Sequence, residues 1–300
     1  MAEITKLKTD IVFKKFFTDK NHEGLLKSFI AAVLDAEESE INDIVISNTE
    51  ITPDEIDGKF TRFDINMMLS KMNVNIEIQV NNEGDFRERS LYYWSQNYGG
   101  QLKKGETYRR IKPTIAVNII DFSLFKTSDY HSVFTVADLE HNEILTDKCR
   151  LHYLELPKLD KLIDKNDKLK LWMQLIDAES EEDLEKLKDT EVPEMREGVR
   201  VIYGYSANEE MRLLAQRREK AVRDEMSALE NARDEGMAIG MEKGRASGLA
   251  EGRASGLAEG RASGLAEGME KAISEMAEKM RLHGISEDDI KRITGLDNVN

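Results

Sequence analysis

The chain has 300 residues, 40% of them hydrophobic, with 43 Lys and Arg against 58 Asp and Glu, a formal charge of −15. That length and apolar content support one well-buried domain plus a smaller unit, so disorder along the whole chain is excluded. No apolar run approaches the roughly 18 residues that span a bilayer, and Met1-Ala-Glu-Ile-Thr-Lys6 lacks an apolar signal core, so an unexported protein without membrane spans is expected.

Residues 5 to 34 carry apolar positions at three- and four-residue steps, Leu7, Ile11, Phe13, Phe16 and Phe17, then Leu25, Leu26, Phe29, Ile30 and Val33. The interruption between Asp19 and Gly24 predicts two helices. From Ile41 the texture changes to short apolar runs, Ile44 to Ile46, Phe60 to Leu69 and Asn73 to Asn81, separated by Asn, Pro, Asp and Gly. Three strands are expected there. Helical spacing returns between Asp85 and Leu102, Gly99, Gly100 and Gly105 mark its end, and Pro113 introduces the buried-looking strand Thr114 to Ile120. The expected order is helix, helix, three strands, helix, strand.

Residues 131 to 235 read as an acidic helical extension, with apolar stripes at Leu162, Leu169, Leu171, Trp172, Leu175, Ile176, Leu184 and Leu187. Cys149, the single cysteine, excludes an internal disulfide and suits a reducing cytoplasm; it reads as structural. Residues 236 to 268 are a repeat in which Gly-Arg-Ala-Ser-Gly-Leu-Ala-Glu occurs three times, with glycine at every fourth position from Gly236 to Gly268. A four-residue period advances about 40° per step on an α-helix, so the glycines spiral around it. Each costs about 1 kcal/mol relative to alanine. Two readings stay open: a flexible spacer, or a helix supported by close packing against a partner. Residues 269 to 300 predict two short helices, Lys271 to His283 and Ser286 to Thr294, joined at Gly284, with Ser286 and Asp289 as an N-cap and acidic first turn.

The strongest chemical signal lies in Asn73-Val-Asn-Ile-Glu-Ile-Gln-Val-Asn81. Asn75, Glu77 and Gln79 share one strand face, and Val74, Ile76 and Ile78 the other. In the preceding strand Arg62, Asp64 and Asn66 alternate with Phe63, Ile65 and Met67. An antiparallel hairpin turning at Ser70-Lys71 pairs residues whose numbers add to 141, which sets Asp64 opposite Glu77, Arg62 opposite Gln79 and Asn66 opposite Asn75. Like charges so placed need compensation. A hard divalent cation held by one or two carboxylates supplies it; a solvated strand face whose acids pair with Arg62 or a lysine is the plainer alternative.

At these residues the sequence resembles the PD-(D/E)XK nuclease superfamily, and within it the Rpn-like family of recombination-promoting nucleases, also described as transposases. The resemblance covers roughly residues 5 to 130. It is carried by Thr9-Asp-Ile-Val-Phe-Lys-Lys-Phe-Phe17, Arg62-Phe-Asp64, Ile76-Glu-Ile-Gln-Val80, Arg87-Glu-Arg-Ser-Leu-Tyr-Tyr-Trp94, and Lys104-Gly-Glu-Thr-Tyr108 followed by the strand to Asp121-Phe122. It implies an α/β fold with a restriction-endonuclease-like αβββαβ core, a mixed sheet flanked by helices, in a nuclease-like domain over 1 to 130, followed by a mainly helical C-terminal extension. It implies hydrolysis of DNA phosphodiester bonds, with Asp64 and Glu77 as ligands of Mg²⁺ or Mn²⁺. Gln79 stands where the general pattern has lysine. A glutamine donates and accepts hydrogen bonds but brings no charge, so its expected role is to position the attacking water. Asp10, in the first-helix motif, is either a further metal ligand or a helix N-terminal acid favoured by the macrodipole.

Arg87, Arg89, Lys103 and Lys104 surround the aromatic helix as candidate phosphate contacts, with Arg109, Arg110 and Lys112 nearby. The net charge argues against nucleic acid, but residues 1 to 130 account for only −4 of it, against −9 for 131 to 235 and −2 for the remainder. Tyr92, Tyr93, Trp94 and Tyr98 read as packing residues before they read as a base-stacking platform. The five histidines show no ligand spacing, so zinc chemistry is not indicated. The tail, with Ile290-Lys-Arg-Ile-Thr-Gly-Leu296, resembles the first part of a helix-turn-helix and suits partner docking or oligomerisation better than independent DNA reading. The expected activity is therefore a cytoplasmic, Mg²⁺-dependent DNA endonuclease tied to recombination, mobile elements or defence against foreign DNA. Double-stranded DNA is its partner, a homodimer is allowed, and the repeat and tail are open to a protein partner. The competing reading is a weakly active or inactive nuclease fold that serves as an interaction module.

Overall fold

The computed structural model describes residues 4–47, 65–82 and 84–295. They fall into two compact units, Met1–Glu225 and Met226–Asn300. In the first, α1 (Asp10–Thr18) and α2 (Glu23–Leu34) precede β1 (Val45–Ser47), β2 (Ile65–Met68) and β3 (Asn73–Gln79); α3 (Phe86–Gly99) then leads to β4 (Thr114–Ile120). The expected helix, helix, three strands, helix, strand order is observed. β5 (His131–Phe134), β6 (Cys149–Glu155), α4 (Lys168–Asp177), α5 (Glu181–Lys188), α6 (Pro193–Ala207) and the start of α7 (Glu209–Leu282) complete the unit.

The strands form one mixed sheet in the order β1-β2-β3-β4-β6-β5. The β2–β3 hairpin is antiparallel and pairs Ile65 with Ile76, Asn66 with Asn75, Met67 with Val74 and Met68 with Asn73, so paired numbers add to 141 as expected. The hairpin closes where Leu69 N–H donates to Met72 O at 2.8 Å. β3, β4 and β6 run parallel in register, with Glu77 beside Asn118 and Asn118 beside Tyr153. Every residue of β4 is buried, as its position at the centre of a covered parallel sheet requires.

Helices cover both faces. Val74, Ile76, Ile78, Ile115, Val117, Ile119 and Leu154 point into the larger core, formed with α1, α2, α4, α5 and α6. Within it the ring centroid of Phe17 lies 4.7 Å from Phe13, 5.1 Å from Phe29 and 5.8 Å from Trp172. Such edge and tilted pairs each contribute about 1 kcal/mol beyond area burial. On the other face Phe86 of α3 packs with Ala116, Ile120, Cys149, Leu151 and Tyr153. Cys149 is buried there, in keeping with its structural reading.

The sheet does not end at β4: the segment from residue 131 to 235, expected to be an acidic, mostly helical extension, also contributes β5 and β6. Cys149-Arg-Leu-His-Tyr-Leu-Glu155 lacks the uninterrupted apolar run of a central strand, because Arg150 and His152 alternate with Leu151 and Tyr153. Yet all but Arg150 are buried. His152 tolerates this because its Nδ1 meets His131 Nε2 at 3.0 Å. Glu155 does so because it accepts Leu124 N–H at 2.6 Å and lies 2.5 Å from Lys158 Nζ.

In the second unit the glycine repeat is helical, inside α7. Each octapeptide supplies five strong helix formers (Arg, two Ala, Leu and Glu) against its two glycines. Serine hydroxyls reach one turn onward, Ser247 to Glu251 at 3.2 Å and Ser255 to Glu259 at 3.3 Å. Leu249, Leu257 and Leu265 are exposed. After Gly284, which holds φ at +78°, Ser286 caps α8 (Glu287–Thr294) by accepting Asp289 N–H at 3.3 Å, and Ile290 is buried. Among the described residues no helix is long and apolar enough to cross a membrane.

Candidate active site

β3 positions the central acid. Period-two alternation turns Asn75, Glu77 and Gln79 away from the larger core and toward α3. Glu77 is only 3% exposed. A lone carboxylate so buried is costly unless charge and hydrogen bonds compensate it. The neighbouring charge comes from α3: Arg89 Nη2 lies 3.4 Å from Glu77 Oε1. Arg89 is itself buried, with its guanidinium carbon 4.9 Å from the centroid of the Phe86 ring.

Arg89, expected from the sequence as a candidate phosphate contact, is buried beside the acid. A signal for this was available. Phe86, Arg89 and Ser90 fall at i, i+3 and i+4 on one helix face, and those three are the buried residues of α3. Ser90 Oγ makes a short hydrogen bond with the hydroxyl of Tyr153, whose pKa burial pushes up. Gln79 donates to Asn81 O at 3.0 Å, and Asn75 donates to Asn66 Oδ1 at 2.7 Å.

The remaining expected residues are placed as follows. Asp64 and Arg62 lie outside the described residues. Asp10 opens α1, and its carboxylate is gripped by Arg218 of α7: Nε lies 3.0 Å from Oδ1 and 2.9 Å from Oδ2, and Nη2 lies 2.7 Å from Oδ2. Oδ1 also accepts Ile11 N–H at 2.7 Å. Arg87 is exposed, donates to Leu124 O at 2.5 Å and lies 5.0 Å from the Phe125 ring centroid. Lys103 and Lys104 are exposed in the loop before β4. β4 begins with Thr114 beside Asn73, four residues before Glu77, or about 13 Å along a strand. These two lysines therefore sit toward the opposite end of the strand from Gln79. Trp94 packs, its Nε1 donating to Thr114 O at 2.7 Å and its ring stacking on Tyr98 at 5.1 Å, whereas Tyr92 is exposed.

A second charged cluster closes the far ends of β3 and β4. Asp121 N–H donates to Gln79 O at 3.0 Å. Lys8 Nζ sits 3.0 Å from Asp121, 3.4 Å from Asp177 and 2.7 Å from Glu179. Burial opposes charge on Lys8, but the hydrogen bonds to Glu179 and Asp121 outweigh it and hold the ammonium above the usual lysine range. Burial pushes Asp177 up despite that ammonium.

The donors around Glu77 are carboxylate and amide oxygens, which suit a hard divalent cation and not a thiophilic one. Among the described residues no three His, Cys, Asp or Glu side chains gather into a metal-binding group. A cation that keeps most of its waters needs only one or two protein carboxylates, and Glu77 is one carboxylate of that kind.

A mixed sheet with a buried Glu-x-Gln acid on its central hairpin, covered on both faces by helices, defines a nuclease-like α/β protein. The family comparison agrees: a family model described as PD-(D/E)XK nuclease family transposase matches residues 7–232, and the chain belongs to that family. The match runs past residue 130 and takes in β5, β6 and α4 to α6. No curated protein and no solved structure matches the chain.

Proposed function

We propose that the chain is a metal-dependent DNA endonuclease that acts in recombination or element mobility and extends to defence against foreign DNA. Membership of a nuclease family transposase group supports a nuclease role. The observation that carries the finer reading is Glu77: an acid 3% exposed on a central strand, in a hairpin whose register adds to 141 from Ile65 onward.

In this reading Glu77 and Asp64 would hold Mg²⁺ or Mn²⁺, and the ion would supply Lewis-acid activation of water and neutralise charge on the scissile phosphate. Gln79 orients the attacking water through its amide. Asp10 joins the ligand set only by exchanging Arg218 for the cation. Arg87 lies on the same helix as Arg89 and contacts phosphate beside the acid, while Lys103 and Lys104 contact the duplex farther along. A second copy of the chain would supply the second strand's cut, and the repeat helix and tail would dock a protein partner.

The test is cleavage of supercoiled plasmid by wild type, Asp64→Asn and Glu77→Gln, with Mg²⁺ or Mn²⁺ and with chelator. Expected are nicked and linear products from wild type with metal only, and loss of about 100-fold or more in rate in either variant. Equal products from all three proteins, or none from any, would remove the endonuclease reading.

A further inference from the structure

Arg89 and Gln79 pose one question together. Gln79 brings no charge to the acid site, and among the described residues Arg89 is a cation set beside Glu77, at 3.4 Å. We propose that Arg89 is the positioning residue of the Glu77 site, holding the Glu77 carboxylate as an oriented anion so that it can receive a divalent cation. The proposal rests on the nuclease reading above.

Three features support a functional arrangement over a simple structural tie. First, the approach is loose. A tight charge-assisted bond spans about 2.7–2.9 Å, and the described residues include such clamps: Arg218 on Asp10, with contacts of 2.7, 2.9 and 3.0 Å, and Arg200 on Glu197, with contacts of 2.5 and 2.9 Å. Arg89 Nη2 instead meets Glu77 Oε1 at 3.4 Å, longer than any of those contacts. Second, the guanidinium is fixed from its other side: Phe86 lies beneath it at 4.9 Å, and α3 is anchored by Ser90 on Tyr153 and by Trp94 on Thr114 O. The charge is therefore presented to Glu77 by a packed helix, without the entropic cost of ordering a mobile side chain. Third, the pair is buried on both sides, side-chain exposure being 8% for Arg89 and 4% for Glu77. Loss of Arg89 would leave a buried carboxylate without that counter-charge, a costly state.

The proposal differs from a phosphate contact and from competition. An Arg that binds DNA phosphate changes KM; an Arg that competes with the metal for Glu77 weakens metal binding, and its removal tightens it. A positioning Arg does neither. Its removal weakens metal binding and lowers kcat.

The experiment compares wild type, Arg89→Lys, Arg89→Gln and Arg89→Ala as full chains, with Mn²⁺ calorimetry beside plasmid cleavage. Expected are Mn²⁺ binding about 10-fold weaker in Arg89→Gln and kcat about 100-fold lower with KM for DNA nearly unchanged. Arg89→Lys recovers much of the loss, and guanidinium ion at non-denaturing concentration partly restores Arg89→Ala. Mn²⁺ binding that is unchanged or tighter in Arg89→Gln overturns the proposal, as does a change confined to KM. Where Arg89→Ala does not fold, Lys against Gln carries the comparison, and equal kcat and equal Mn²⁺ affinity for those two overturns it. If wild type and Glu77→Gln cleave alike, the nuclease reading fails by itself, and the Mn²⁺ titrations still decide whether Arg89 supports Glu77.

Discussion

His152 gives the fold a defined acid sensitivity. It lies in β6, 4% exposed, with Nδ1 3.0 Å from His131 Nε2 and the two rings stacked at 5.2 Å. One proton serves that contact; a second would turn both facing nitrogens into donors. Burial, the facing His131 and nearby Arg150 push the His152 pKa down from 6.5 to about 4. The folded form therefore refuses a proton that the unfolded chain accepts. The resulting stability is fully present above pH 6.5, is lost as the pH falls, and is exhausted near pH 4. At about 1.4 kcal/mol for each pH unit of displacement, the loss is about 3 kcal/mol. Urea unfolding of wild type and His152→Gln across that range isolates the effect from the carboxylates, which titrate in both proteins. The variant is expected to be less stable at neutral pH and to lose less on acidification, so the two curves converge. Parallel curves, or a His152 ring that titrates near 6.5 by NMR, would refute the reasoning.

Three further outcomes follow from the same structure. Replacing Gly248, Gly256 and Gly264 with Ala adds Cβ atoms that meet nothing within 4 Å, so each change stabilises the α7 helix by about 1 kcal/mol; a far-UV circular dichroism melt that does not shift upward argues against the repeat being helical. Arg218→Ala or Asp10→Ala breaks a pair whose side chains are 6% and 17% exposed and costs about 3 kcal/mol; in urea unfolding the double variant should lose clearly less than the two singles combined, and simple additivity would show that the clamp contributes nothing. Gly198→Ala drives a Cβ to 2.7 Å from Leu175 Cδ2 and costs about 2 kcal/mol, whereas Gly204→Ala, which meets open space, is neutral or stabilising; equal melting temperatures for the two variants would contradict the packing of α6 on α4.

The hairpin was legible because two independent constraints coincide in it. Alternation assigns Val74, Ile76 and Ile78 to one face, only a register with an odd sum brings Ile65 and Met67 to the same face, and the two-residue turn at Ser70-Lys71 selects 141 among these. β6 was not legible for the converse reason: it is covered on both faces, so the alternation of Arg150 and His152 with Leu151 and Tyr153 does not separate exposed from buried positions, and those two polar residues remove the apolar run that would mark it as buried. The repeat helix marks a limit of propensity reasoning. Nine glycines weigh against a helix, but Arg, Ala, Leu and Glu occupy most of the positions between them and favour one.

The acid site separates what local pattern can reveal from what only tertiary packing can. Glu77 and Gln79 are two residues apart, and their shared face follows from strand geometry alone. Arg89 is twelve residues from Glu77, and helical spacing locates it on the inward face of α3, but the distance between the two depends on how α3 crosses the sheet. Asp10 and Arg218 are separated by 208 residues, and no pattern in either segment announces the other. Yet that contact bears on the chemistry, because an acid held by a two-pronged guanidinium is withdrawn from metal binding while the clamp is closed. The two arginines therefore have opposite consequences for their acids: Arg218 occupies Asp10, whereas Arg89 holds Glu77 ready. On this reasoning Arg218→Ala leaves Glu77-dependent Mn²⁺ binding in place and adds to it any ligand that Asp10 can provide. Tighter Mn²⁺ binding in Arg218→Ala than in wild type, lost again in Asp10→Ala with Arg218→Ala, is the expected result. Identical Mn²⁺ affinity in all three proteins would place Asp10 in the framework of the fold and outside the metal site.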